Sequence, residues 1–137
     1  QNYVDAPIAV EEAQVGTSGS ATDWKTVLVA GTGGGGHGVF ALDVSDPATF
    51  NAGKVMWEFK RSDDAAIGQV IGQPRIMKFK TSGSAATATY RWFAVVASGV
   101  NNYVSDAAGL FSDGKPALFL LALDKPVGDA WSLGSNY

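Results

Sequence analysis

The chain has 137 residues and a formal charge of −3, from 10 Lys and Arg against 13 Asp and Glu, and it contains no cysteine. Disulfides, thiolate metal sites and cysteine nucleophiles are therefore excluded, and the singly scattered cations form no basic face of the kind that holds nucleic acid. A hydrophobic fraction of 46% with 17% charged residues fits a folded chain of single-domain size, and 17 glycines beside 7 Phe, 4 Tyr and 4 Trp point to short strands joined by tight turns.

Taken in order, the strand signals fall at residues 6–12, 25–30, 39–44 and 54–60, then at 73–80, 91–98 and 117–123. Turn residues fill the gaps: Gly16, Ser18, Gly19 and Ser20, the glycine cluster at 31–38, Ser45-Asp46-Pro47, and Ser82-Gly83-Ser84. Apart from a single turn after Pro47, no segment sustains a helical period. The longest apolar run, residues 116–123, is far short of the roughly 20 residues a membrane-spanning helix needs. This is the pattern of an all-β chain.

The strand pattern is duplicated. Pro7-Ile8-Ala9-Val10 returns as Pro74-Arg75-Ile76-Met77, an offset of 67, and Trp24-Lys25-Thr26-Val27-Leu28-Val29-Ala30-Gly31 returns as Trp92-Phe93-Ala94-Val95-Val96-Ala97-Ser98-Gly99, an offset of 68. Val39-Phe40-Ala41-Leu42-Asp43 has its counterpart around Phe119-Leu120-Leu121-Ala122-Leu123-Asp124, after a longer loop. Within each copy the second strand is apolar almost without interruption, where a strand wetted on one face would alternate. Such strands need cover on both faces, which is the situation of β-propeller blades; a β-sandwich is the rival.

The expected architecture is part of a β-propeller with about two four-stranded antiparallel blades: residues 1–68 as the first, and 69–137 as the second, apparently incomplete. The second copy reaches residues 131–137 without an evident fourth strand. Two blades cannot close a ring of at least about four. The chain, which opens on Gln1, is thus expected to be a mature or excised piece of something longer, or to complete its sheets with another chain.

Gly31-Thr32-Gly33-Gly34-Gly35-Gly36 satisfies a dinucleotide fingerprint in form, yet a strand and not a helix follows it, and residue 51 is Asn where an acidic residue belongs. It reads as a hairpin connection. His37, the single histidine, has no nucleophile or orienting acid assigned to it by spacing; Ser98 and Asp43 are the residue types a triad would need. Asp63 and Asp64, and Asp106 and Asp113 near Asn101 and Asn102, offer oxygen ligands of the kind calcium takes, but without the alternate-position rhythm of a calcium loop. Trp24, Trp57, Trp92 and Phe119 fall on strands, where aromatics pack between sheets. No catalytic, cofactor or metal-ligating residue is therefore assigned.

An ordered series of segments carries a family resemblance. Tyr3-Val4-Asp5-Ala6-Pro7, Trp24-Lys25-Thr26-Val27-Leu28-Val29, the glycine loop into Gly38-Val39-Phe40-Ala41-Leu42-Asp43-Val44-Ser45-Asp46-Pro47, Trp57-Glu58-Phe59, Gly72-Gln73-Pro74, Trp92-Phe93-Ala94-Val95-Val96 and Ser98-Gly99-Val100-Asn101-Asn102-Tyr103 together resemble the C-terminal propeller of the PilY1/PilC family of bacterial type IV pilus proteins. The resemblance implies a quinoprotein-type propeller that is exported to the cell surface, outer membrane or pilus tip. It implies roles in pilus assembly, retraction control, adhesion and twitching motility. The implied partners are pilus proteins such as minor pilins, a host or abiotic surface, and the remaining blades or another copy of the chain. The family also carries calcium on a loop of alternating acidic residues, and no position here matches that loop. Gly53-Lys54-Val55-Met56-Trp57 also resembles repeats of quinone-dependent dehydrogenases, so a fragment of a pyrroloquinoline-quinone enzyme is the enzymatic alternative. A self-associating structural β unit is the third.

Overall fold

The computed structural model describes residues 4–16, 18, 20–103 and 114–137. The described residues form seven strands: β1 (Ile8–Gln14), β2 (Trp24–Gly31), β3 (Gly38–Asp43), β4 (Val55–Lys60), β5 (Arg75–Ser82), β6 (Thr89–Ala97) and β7 (Leu118–Ala122). Among the described residues the only helical elements are single 3₁₀ turns, one of them Pro47–Thr49, where Asp46 accepts from the Ala48 amide and proline supplies the first position. Every strand lies within a few residues of its expected span.

The strands form two antiparallel meanders, one four-stranded in the order β1-β2-β3-β4 and one three-stranded in the order β5-β6-β7. Both run strictly from neighbour to neighbour, so the sequence duplication is also a duplication of topology. Among the described residues no closed barrel or ring of strands is formed. A bulge between Ala41 and Leu42 in the β3–β4 pairing lets Met56 enter the core together with Trp57.

Register explains which residues are covered. The rows Ala9–Val29–Ala41–Trp57 and Val39–Phe59 lie on one face of the first sheet. On one face of the second lie Ile76–Ala94–Leu121 and Val96–Phe119. These faces pack on each other to make a single core, in which Val27, Val29, Ala41, Phe59, Ala94 and Leu121 are fully buried. The opposite faces are apolar as well, with rows Val10–Leu28–Leu42–Val55 on the first sheet and Met77–Phe93–Ala122 on the second. Their cover is uneven: Ile8, Val10, Met77 and Leu118 are 45–65% exposed and Leu28 and Val95 half-buried, whereas Ala30, Phe93 and Ala122 are buried. The expected two-sided cover of β2 and β6 is therefore met on the inner face and only half met on the outer.

After β7 the chain does not form a fourth strand, but it occupies the region beside β4 and β7. The Trp131 indole N–H donates to the carbonyl of Glu58 at 2.6 Å, and the Ala122 amide donates to the Asn136 carbonyl at 3.0 Å. Trp131 and Tyr137 close an aromatic cluster with Trp57, Phe59 and Phe119, ring centroids 5.0–5.3 Å apart for the nearest pairs. An edge strand that would offer free carbonyls is thus blunted by side chains instead of by another strand.

Candidate functional site

Antiparallel pairing sends the β2–β3, β4–β5 and β6–β7 connections to one end of the molecule, together with the segment before β1. The glycine loop is a compact hairpin connection there: the Thr32 amide bonds the Gly38 carbonyl at 3.0 Å, and the Gly33 amide bonds Val70 at 3.1 Å. Gly33 has φ +60°, and a side chain there would collide with the Asp5 carboxylate, so glycine is required twice over. Asp5 itself accepts from the Gly34 amide at 2.9 Å. The loop's donors are thus turned inward onto the chain's own carboxylate, an arrangement opposite to that of a loop cradling a phosphate.

Gln69 joins the two loops that the sequence singles out. Its side-chain amide donates to the Gly34 carbonyl at 3.1 Å, and its carbonyl accepts from Asn101 Nδ2 at 2.5 Å. The backbones of Gln69 and Val100 also form an isolated bridge. Asn101 holds a left-handed conformation, φ 57°, and Asn102 donates to the Lys115 carbonyl at 2.8 Å, fastening the base of the β6–β7 connection. Arg61 donates through its guanidinium to the Tyr103 carbonyl at 2.9 Å. The result is a polar platform of Asp5, Gly34, Arg61, Gln69 and Asn101 spanning both sheets. Neither Gln69 nor Asp5 stands out in the sequence, because a lone Gln and Asp carry no motif.

The other candidates separate. His37 is half-buried and its carbonyl accepts from the Arg61 amide, at the start of β3, while Asp43 is at the far end of that strand. Ser98 Oγ accepts from the Ala117 amide. Histidine, serine and aspartate are thus not assembled into a triad. Asp63 and Asp64 cap the turn after β4, accepting from the amides of Lys60 at 2.9 Å and Ala66 at 2.9 Å. Burial and then the neighbouring Asp64 hold the Tyr137 hydroxyl above its usual range. Asp106 and Asp113, and with them most of the Asn101 to Asp113 loop, lie outside the described residues. Among the described residues no three His, Asp or Glu side chains are gathered as metal ligands. Of the four strand aromatics, Trp57 and Phe119 are buried, Trp92 is half-buried, and Trp24 stands 48% exposed.

At the opposite end, each sheet carries an ion pair between a basic residue of its second strand and an aspartate at or just past the end of its third. Lys25 on β2 bonds Asp43 at the end of β3 at 2.8 Å, and Arg91 on β6 bonds Asp124 just past β7 at 2.7 Å. Burial raises the Asp43 carboxyl, but Lys25 and two hydrogen bonds from Ser45 outweigh it and hold the pKa down at about 2.

Fold and platform together define an all-β protein of two stacked antiparallel sheets with loops clustered at one end. No family model matches the chain. The crystal structure of the Pseudomonas aeruginosa PilY1 C-terminal domain is similar to it with a TM-score of 0.60 and 25% sequence identity, over 90% of this chain and 20% of that one. A type IV pilus biogenesis factor PilY1 homolog of Xylella fastidiosa is 34% identical over 121 residues, which is 88% of this chain and 7% of the relative. The PilY1 of Pseudomonas aeruginosa strain UCBPP-PA14 is 29% identical over 90% of this chain and 9% of its own. In sequence and in fold, the chain is a relative of the PilY1 type IV pilus biogenesis factors over about 90% of its length. It spans less than a tenth of the curated relatives it matches.

Proposed function

We propose that the chain is a non-catalytic scaffold within a type IV pilus biogenesis factor, with residues 1–68 and 69–137 as two consecutive blades of a β-propeller. The observation that carries this reading is the sheet stack itself: two meanders that bury one face against each other and leave an apolar face outward on each side. Exposed apolar rows of this extent are what a blade presents to the next blade. On this reading the parent is exported and acts at the cell surface, outer membrane or pilus tip. The rigid sheets present the platform around Gln69 to pilus proteins, minor pilins among them, or to a host or abiotic surface, in support of pilus assembly, retraction control and adhesion.

Deleting the segment from the protein that carries it tests the reading. The expected result is loss of surface pili and of twitching motility, with a normal level of the truncated parent. Undiminished piliation would overturn it. A Gln69→Ala, Asn101→Ala pair is the finer probe: it is expected to lower piliation several-fold while the strand signal in circular dichroism is kept.

A further inference from the structure

Away from the glycine loop, where the two sheets meet beside the ion pairs, lies a cleft of about 230 Å³, lined by Gln14 and Val15 of the first sheet's side and by Lys78, Tyr90, Arg91 and Trp92 of the second. That is the volume of about eight waters, enough for one six-membered sugar ring. Two aromatic rings, Tyr90 and Trp92, line it. Tyr90 is 54% exposed, and Trp24, 48% exposed, stands edge-on to Trp92 with centroids 6.0 Å apart. Exposed indole and phenol rings offer flat apolar faces with polar rims, suited to the C–H face of a pyranose.

The charges in the cleft are unequally used. Arg91 is spent on Asp124, in a bidentate pair, and on the Ser135 carbonyl, which fixes its guanidinium as a rigid wall. Asp124 is thereby neutralised. Lys78 has no carboxylate partner among the described residues; its ammonium lies 4.9 Å from the Tyr90 centroid and 6.0 Å from that of Trp92. An unpaired cation held over aromatic rings is a donor set waiting for an anion on a ring-shaped ligand.

We infer that this cleft binds a carboxylated pyranose, a uronic-acid-type unit of an acidic polysaccharide. The sugar's C–H face would lie on Tyr90 and Trp92, its carboxylate on Lys78, and its hydroxyls toward Gln14 and the rim of Arg91. A bare phosphate would leave the rings unused, and a neutral sugar would leave Lys78 unused. The inference goes beyond the pilus reading and does not rest on it, since binding is read on the cleft itself.

The test is titration of the chain with trigalacturonate, maltotriose, triglutamate and inorganic phosphate, followed by tryptophan fluorescence and calorimetry. Trigalacturonate is expected to bind and to change the fluorescence, about tenfold more tightly than the other three, a difference of about 1.4 kcal/mol. Lys78→Met and Tyr90→Ala, both exposed positions, are each expected to weaken it at least about fivefold with unchanged circular dichroism. Absence of binding at millimolar trigalacturonate would overturn the inference. So would triglutamate or phosphate binding equally well, or a Lys78→Met variant that binds undiminished.

Discussion

At the residue scale, the Lys25–Asp43 pair is the clearest tie between charge and stability. Asp43 is 9% exposed, within hydrogen-bond reach of the Lys25 ammonium, and accepts from both the amide and the hydroxyl of Ser45. Folding lowers its pKa from 3.8 to about 2, so the native state binds that proton more weakly than the unfolded chain does. Its contribution, about 2 kcal/mol, is fully present above pH 4 and is lost as the pH falls through about 2. Acid titration by circular dichroism is therefore expected to show an Asp43→Asn variant losing the part of the acid sensitivity that falls between those values. An unchanged acid profile would mean that the pair is screened and inert. Both aspartates sit in the duplicated motif Ala-Leu-Asp, at Ala41-Leu42-Asp43 and Ala122-Leu123-Asp124, so the repeat was legible; their basic partners were not, because the pairing depends on strand register.

At the element scale, the segment after β7 does the work of a strand without being one. Its Trp131 contacts Trp57, Phe59 and Tyr137 and donates to the Glu58 carbonyl. Replacing Trp131 with Ala removes the edge cover and leaves an unfilled gap beside Phe59, at an expected cost of about 2 kcal/mol measured by urea unfolding. A change under about 0.5 kcal/mol would show that the segment is carried by the sheets and not part of their support. The seven strands were readable because short apolar runs bounded by Gly, Pro, Ser and Asp leave few alternatives. The clasp was not readable, since an irregular segment has no period and its partners on the first sheet's side, Glu58 and Asp64, lie 73 residues away.

On the scale of the whole molecule, the decisive feature is that each sheet has two apolar faces and the stack fully covers only one of each. Ile8 and Val10 on one side, and Met77 and Leu118 on the other, present large side chains to solvent. In isolation the chain is expected to self-associate through these faces. Placing charge on one of them, as Met77→Lys with Leu118→Lys, is expected to lower the mass seen by light scattering while leaving the strand signal unchanged. A monomeric parent chain at all concentrations would remove the argument for neighbouring blades. The same measurement separates blade from assembler: open-ended growth fits a scaffold lacking its neighbours, and one defined oligomer fits the self-associating β unit.

The sequence by itself determined the all-β class, the positions of seven strands, the duplication and the absence of cysteine chemistry, because these follow from local composition and from a period of two or its interruption. It also carried the likeness to PilY1 proteins, which the comparisons bear out. Only the tertiary structure decided which apolar face is shared, that Gln69 ties the glycine loop to Asn101, that Trp131 seals the β4 edge, and that Lys78 has no counter-charge among the described residues. Each of these is a meeting of residues far apart in the chain, set by register and stacking, and a linear pattern contains no distance between them.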